Sequence, residues 1–489
     1  MMISDELPGL ENGWIFGAKM DLYDHQWKSF RQSLPMIIPF AAVFIFLVHF
    51  ARARSHSLLV RTLIVLGCLF VYVLHGFWFV HILALTSISF FLSKLAADTL
   101  SSRLAACVIW IFNLFMMVFI PLKGSQLFVP EFLRATQYQG MQSWTPMYHM
   151  LVLKFISFGM DYIWALNSVD QRHDVPARLD YKSRQNTNLP IRDYSFSNFL
   201  AYIFYVPLYI GGPIISFNAF VSQLKISQTA YTFRELISYG IFRLGLIFLL
   251  MEVFLHSLYS NAITASQSES ILSRLQPFSL AFAISLFTLL FMWMKFLLIW
   301  RTSRFWSLAC GIEAPENMNR CVMNNYSMIQ FWRDWHSSYN IWLVRYIYIP
   351  LGGSRTSGVQ KIFNIFLVFF FVAVWHDPEW RYIHWAWIVI LAIIPESLCR
   401  FVFYETKFGA KYLKNKKCFS KFILTLGGAL NVLFMMSANL VGYVYGLEGL
   451  SILSTTIHNS PIYDIALTLV FIYIGVGLMY ILEQYREKK

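Results

Sequence analysis

The sequence predicts an all-α fold, a polytopic transmembrane helix bundle of about 10–12 membrane helices with re-entrant and interfacial helices added. Three observations predict it. Of 489 residues 57% are hydrophobic. Only 13% are charged, against about a quarter in soluble domains. Apolar runs long enough to cross or nearly cross a bilayer recur along most of the chain. About 279 apolar residues would fill on the order of ten helices of ~20 residues.

The runs lie at about 35–51, 58–80, 81–98, 105–122, 148–166, 237–258, 278–300, 361–376, 382–399, 422–444 and 465–482. Residues 1–34 form a polar N-terminal segment without the basic start and short apolar core of a secretory signal, so the first run is expected to act as its own insertion signal. With no linker and no fixed-period repeat, residues 35–489 are expected to form a single integral-membrane domain. The stretch 194–217 is apolar but carries Pro207 and Gly211-Gly212-Pro213. A re-entrant or broken helix fits it better than a clean span, and such backbone survives at membrane depth only inside protein or along a cavity. An ordinary proline-kinked helix is the competing reading.

The formal charge of +13 reads as orientation, because cytosolic loops accumulate Lys and Arg. Residues 400–421 hold Arg400, Lys407, Lys411, Lys414, Lys416, Lys417 and Lys421 against Glu405. Residues 446–463 hold no Lys or Arg, and Arg486, Lys488 and Lys489 close the chain. The C-terminus is therefore expected to be cytosolic, with Arg355 and Lys361 on the same side. The run 361–376 then ends, at His376, toward the lumenal half of the membrane. No basic tract has the aromatic and glycine patterning of a nucleic-acid module. The cysteines Cys68, Cys107, Cys310, Cys321, Cys399 and Cys418 show no C-x-x-C spacing, so neither a metal site nor a disulfide framework is expected.

Two segments carry chemistry. In 326–355 the residues Met328, Phe331, Trp332, Trp335, Tyr339 and Trp342 fall on one stripe of a helix. Arg333, Asp334, Ser337, Ser338 and Arg345 take the opposite side, and His336 lies on the shoulder between Arg333 and Asn340. Such a helix is too polar to cross lipid alone, so it lies at the interface or lines a polar cavity. Forty residues on, His376 ends an otherwise uncharged apolar run. An ionisable group at membrane depth is costly and usually functional, and a histidine can take a proton from an alcohol near neutral pH. The plainer alternative is a helix-end residue beside Asp377 and Glu379.

The segment FWRDWHSSYNIWLVRYIYIPLGGS (331–354), the helix ending in His376, and YSFSNFLAYIFYVPLYIGGPIISFN (194–218) together resemble the membrane-bound O-acyltransferase superfamily. The likeness is greatest to its branch of glycerol uptake proteins and hedgehog acyltransferase. GWIFGAKMDLYDHQWKSFRQSLP (13–35) and SFGMDYIWALN (157–167) add to it.

The resemblance implies an endoplasmic reticulum enzyme whose bundle encloses an acyl-transfer cavity and which moves a fatty acyl group from acyl-CoA to an acceptor, with no cofactor required. His376 corresponds to the family's intramembrane histidine and His336 to its upstream polar position. A thioester is already activated, so the expected scheme is general-base removal of the acceptor proton by His376. His336, with Asn340 or Arg333, orients the acceptor or supports the oxyanion. Arg345, Arg355 and Lys361 are candidates for the CoA phosphates, or simply anchor the cytosolic face. In the hedgehog-acyltransferase arm a cysteine matching Cys321 is associated with haem b, so haem is a further expectation. The resemblance points to a lipid acceptor, the lyso form of a glycosylphosphatidylinositol anchor, with membrane lipids as surroundings. A protein acyltransferase and a glycerol or polyol transporter are the alternatives.

Overall fold

The computed structural model describes residues 7–120, 138, 140–168, 180–266, 277–356, 358–407, 409, 417–446 and 448–487, and only the backbone of Ser354, 417–418, 448–453 and Glu487. Of the residues that set the expected orientation, Lys411, Lys414, Lys416, Lys488, Lys489 and the side chain of Lys417 lie outside this set, as does the side chain of Cys418. The other five cysteines are all free thiols.

The chain is a helical membrane bundle. Among the described residues ten helical stretches are long and apolar enough to cross a bilayer. One of them, His56–Thr99, runs for 44 residues, about 66 Å of helix and twice the thickness of the hydrocarbon core. It is interrupted at Gly76, whose φ of 57° is available to glycine at little cost, so α2 (His56–His75) and α3 (Phe79–Thr99) are the two separate apolar runs of the sequence. α1 (His25–Arg54) starts well before the run at 35 because Asp24 caps it, accepting from the Trp27 amide at 2.7 Å. α4 (Ser102–Phe119) and α5 (Thr145–Leu166) follow, and α5 is the buried axis of the bundle.

The stretch 194–217 is broken, as its prolines and glycines imply. α6 (Phe196–Ile203) gives way to a 3-10 turn at Val206–Leu208 and an irregular run before α7 (Phe217–Lys225). From Phe199 to Tyr209 nearly every side chain is buried, so the interrupted backbone lies inside protein. Lys154 of α5 donates to the Tyr202 and Ile203 carbonyls at 3.3 and 3.1 Å, satisfying the frayed end of α6. α8 (Phe233–Ser257) and α9 (Phe278–Ala309) carry the chain to the segment of interest.

From residue 7 onward the polar N-terminal segment is docked on the bundle. A hairpin of Leu10–Asn12 and Lys19–Asp21 precedes α1. Trp14 Nε1 donates to Glu252 at 2.7 Å, and Arg31 pairs with the same carboxylate at 2.8 Å. Asp21 accepts from the Asn261 and Ala262 amides, and Lys295 pairs with Asp24 at 2.7 Å. The GWIFGAKMDLYDHQWKSF region thus ties the start of the chain to α8 and α9.

The single helix expected across 326–355 is two. α10 (Met328–Asp334) stops at Trp335, His336 takes a left-handed conformation with φ and ψ of 47°, and α11 (Ser337–Leu343) begins again. The loop before α10 imposes the break. Trp335 pairs as a β-bridge with Met318, Ser337 N donates to Asn317 O at 3.0 Å, and Ser338 N donates to Asn317 Oδ1 at 3.1 Å. Part of the expected polar face is buried: Ser337 and Ser338 lie inside, and Ser338 Oγ accepts from Ile214 N at 2.8 Å, while Arg333 is exposed. That bond pins the irregular run before α7 to the break at His336.

α12 (Gly358–His376), α13 (Trp380–Glu405), α14 (Lys417–Tyr443) and α15 (Ile462–Glu487) complete the bundle. α12 ends at His376 because Asp377-Pro378 follows, and a residue before proline is disfavoured in helical geometry. Glu396 of α13 accepts from the Met328 amide at 2.8 Å and from Ser327 Oγ at 2.5 Å, fixing the start of α10.

Candidate active site

α9, α10–α12, α13, α14 and α15 surround a cavity of about 1050 Å³, at the upper end of ligand-binding cavities. Its wall is mostly aliphatic and aromatic. Among the described residues the lining holds two cations, Arg333 and Lys361, and no carboxylate. His336 and His376 both line it. The two histidines, forty residues apart in sequence, are thus brought to one space by the break after α10 and the stop of α12.

His376 Nε2 lies 3.1 Å from Tyr443 Oη. Tyr382 stacks beside its ring at 5.7 Å, and Trp385 meets it edge-on at 5.8 Å. Nδ1 has no hydrogen-bond partner among the described residues. His336 stacks on Trp300 at 4.5 Å with an interplanar angle of 15°, and its buried Nε2 has no partner. The left-handed backbone puts strain at this residue, on the order of 1–3 kcal/mol, and Asn317 holds it there. Trp375 lies between the imidazoles, with centroids 6.2 Å from His336 and 4.9 Å from His376. Its indole is anchored to α5 by a 3.0 Å bond to the His149 carbonyl.

The remaining candidates divide. Arg333 and Asn340 line the cavity, and Arg333 is exposed. Lys361 is exposed and lines it too, fifteen residues before His376 on α12. At 1.5 Å per residue the cavity therefore reaches roughly 22 Å along this helix. Arg345 does not line it. Its guanidinium pairs with the fully buried Asp161 of α5 at 2.9 Å, donates to Asn186 at 2.6 Å and covers the Trp164 ring at 4.9 Å. These contacts tie the turn Val344–Tyr348, just after α11, to α5, and the guanidinium's Nε is buried without a partner among the described residues. Arg355 is exposed on the turn Gly353–Arg355, outside the lining.

Cys321 is half-buried beside the turn Val322–Asn324, whose residues line the cavity. Burial pushes the Cys321 thiol up, and a haem iron bound there would supply the cation that lowers it. Among the described residues no group of three or more His, Cys, Asp or Glu side chains is gathered for a metal ion.

Sequence reasoning missed Tyr443, Trp300 and Asn317. Each acts across a tertiary contact, and none stands in a segment whose local pattern marks it.

A family model described as MBOAT, the membrane-bound O-acyltransferase family, matches residues 61–438, which include both histidines. The chain is 34% identical to membrane-bound O-acyltransferase gup1 of Schizosaccharomyces pombe, over 90% of this chain and 76% of that protein. It is 31% identical to membrane-bound O-acyltransferase GUP2 of Saccharomyces cerevisiae, over 98% and 81%. It is also 28% identical to mouse protein-cysteine N-palmitoyltransferase HHAT, over 42% and 40%.

Proposed function

The chain belongs to the membrane-bound O-acyltransferase family, and on that premise we propose that it transfers a fatty acyl group from acyl-CoA to a hydroxyl of a lipid acceptor, the lyso form of a glycosylphosphatidylinositol anchor, in the endoplasmic reticulum membrane. It is a multi-pass membrane acyltransferase; donor, acceptor, compartment and cytosolic C-terminus are the proposed parts. The observation that carries the proposal is the single cavity that reaches Lys361 at one end of α12 and both His336 and His376 at the other. A lining with two cations and no carboxylate suits a donor with a phosphate-bearing head and an apolar tail.

The acceptor oxygen attacks the thioester carbonyl carbon while His376 takes its proton. In the tautomer we propose, Nε2 is protonated and donates to Tyr443 Oη, 3.1 Å away, and Nδ1 carries the lone pair and is the basic nitrogen. The C–S bond then breaks, and the CoA thiolate leaves as the thiol with the proton returned from His376. His336, with Asn340 and Arg333, orients the acceptor, and Lys361 holds the CoA phosphates. A thioester needs no covalent enzyme nucleophile and no cofactor to react in this way.

The test is transfer of labelled acyl chain from acyl-CoA by purified protein in lipid discs, offered lyso-glycosylphosphatidylinositol and, separately, a peptide with a free N-terminal cysteine. Label in the lipid supports the proposal. Label in the peptide alone would move the function to that of the mouse relative. No acyl-CoA consumption with either would contradict the donor.

A further inference from the structure

Four residues lining the cavity hold a buried polar atom with no hydrogen-bond partner among the described residues: Trp332 Nε1, Trp385 Nε1, His336 Nε2 and Tyr339 Oη. A buried donor left unpaired costs about 1–3 kcal/mol, so four around one cavity call for a ligand that satisfies at least one.

Their surroundings separate them. A Cβ on Gly442 would lie 2.7 Å from Trp385 Cδ1, so the pyrrole edge of that indole, which carries Nε1, is pressed against α14. Trp332 packs against Phe331, Phe369 and Trp385, and its ring meets neither histidine. Tyr339 is 4% exposed and lines the cavity. Its ring packs on Trp375 at 4.4 Å and on His336 at 5.2 Å. Trp375 is in turn the ring that adjoins His376. Tyr339 thus carries a hydroxyl without a partner among the described residues, on a ring that joins His336 to Trp375 beside His376.

We propose that the Tyr339 hydroxyl donates a hydrogen bond to the thioester carbonyl oxygen and to the oxyanion it becomes. This rests on the acyl-CoA reading above and adds the electrophilic partner that His376 lacks. The acceptor oxygen bonds to the carbonyl carbon, its proton passes to His376 Nδ1, and the C=O electron pair moves onto oxygen. Tyr339 keeps its proton throughout. When the pair returns, the C–S bond breaks and the thiolate is protonated by His376.

A donor aimed at the oxyanion acts on kcat, and removing one costs about 10²–10³-fold. The decisive variant is Tyr339→Phe, which keeps the ring against Trp375 and deletes only the oxygen. With purified protein the expected result is a fall of about 10²-fold in kcat, an unchanged unfolding temperature and little change in either KM. The slow hydrolysis of acyl-CoA without acceptor should fall in parallel, because the same oxyanion forms when water attacks. Full kcat in Tyr339→Phe would overturn the proposal, and so would a loss confined to the acceptor's KM with hydrolysis intact, which would mark an acceptor-positioning residue. The companion variant His376→Gln keeps the two readings apart. Loss in His376→Gln with an active Tyr339→Phe defeats this inference alone. Loss in Tyr339→Phe with an active His376→Gln leaves it standing and defeats the general base.

Discussion

Tyr443→Phe isolates the one hydrogen bond made to the His376 ring among the described residues. The phenol oxygen is 3.1 Å from Nε2, and the ring is held independently of its hydroxyl by Trp385 at 5.5 Å and Tyr382 at 5.7 Å. The substitution therefore leaves the packing in place. A neutral imidazole has one protonated and one basic nitrogen; in the proposed tautomer Nε2 donates to the Tyr443 oxygen and leaves Nδ1 basic. The net worth of such a bond is about 0.5–1.5 kcal/mol, which corresponds to roughly 2- to 12-fold in the population of the productive tautomer. Steady-state transfer from labelled acyl-CoA by purified protein should show kcat lowered within that range, with both KM values little changed. An unchanged kcat would refute the tautomer argument. A loss of a thousandfold would refute it differently, by showing that Tyr443 itself reaches the reacting atoms.

Two further outcomes follow from the division of the basic residues. Lys361→Ala should raise the KM for acyl-CoA several-fold with kcat nearly unchanged, and the effect should shrink at high ionic strength because the group is exposed, whereas Arg333→Ala should act on the acceptor's KM; a salt-independent loss of kcat in Lys361→Ala would contradict phosphate capture. Arg345→Ala should act on stability, because it strands the buried Asp161 carboxylate. Breaking a buried pair from one side costs about 3–5 kcal/mol, seen as a lowered unfolding temperature in detergent; a stable variant with a raised acyl-CoA KM would return Arg345 to the donor site.

The parts of this fold written in local sequence were legible. The length of the apolar runs gave the bundle, Pro207 and Gly211-Gly212-Pro213 marked the break after α6, and an apolar helix running into Asp377-Pro378 singled out His376. What was hidden depends on distant partners. The stripe from Met328 to Trp342 is regular enough for one helix, and nothing at His336 announces a left-handed residue; Asn317 and Met318, from a loop well before it, impose the break. Arg345 reads as a free cytosolic cation until Asp161, 184 residues earlier, is seen beneath it. Tyr443 and Trp300 are two among many membrane-helix aromatics, and only the packing shows that they hold the histidines.

The most direct measurement is kcat for acyl transfer by purified His376→Ala, with folding checked by its elution and unfolding temperature. General-base assistance contributes about 10²–10⁴-fold, so the expected result is a loss of that size with acyl-CoA still bound. A folded His376→Ala enzyme that retains most of its activity would contradict the central claim.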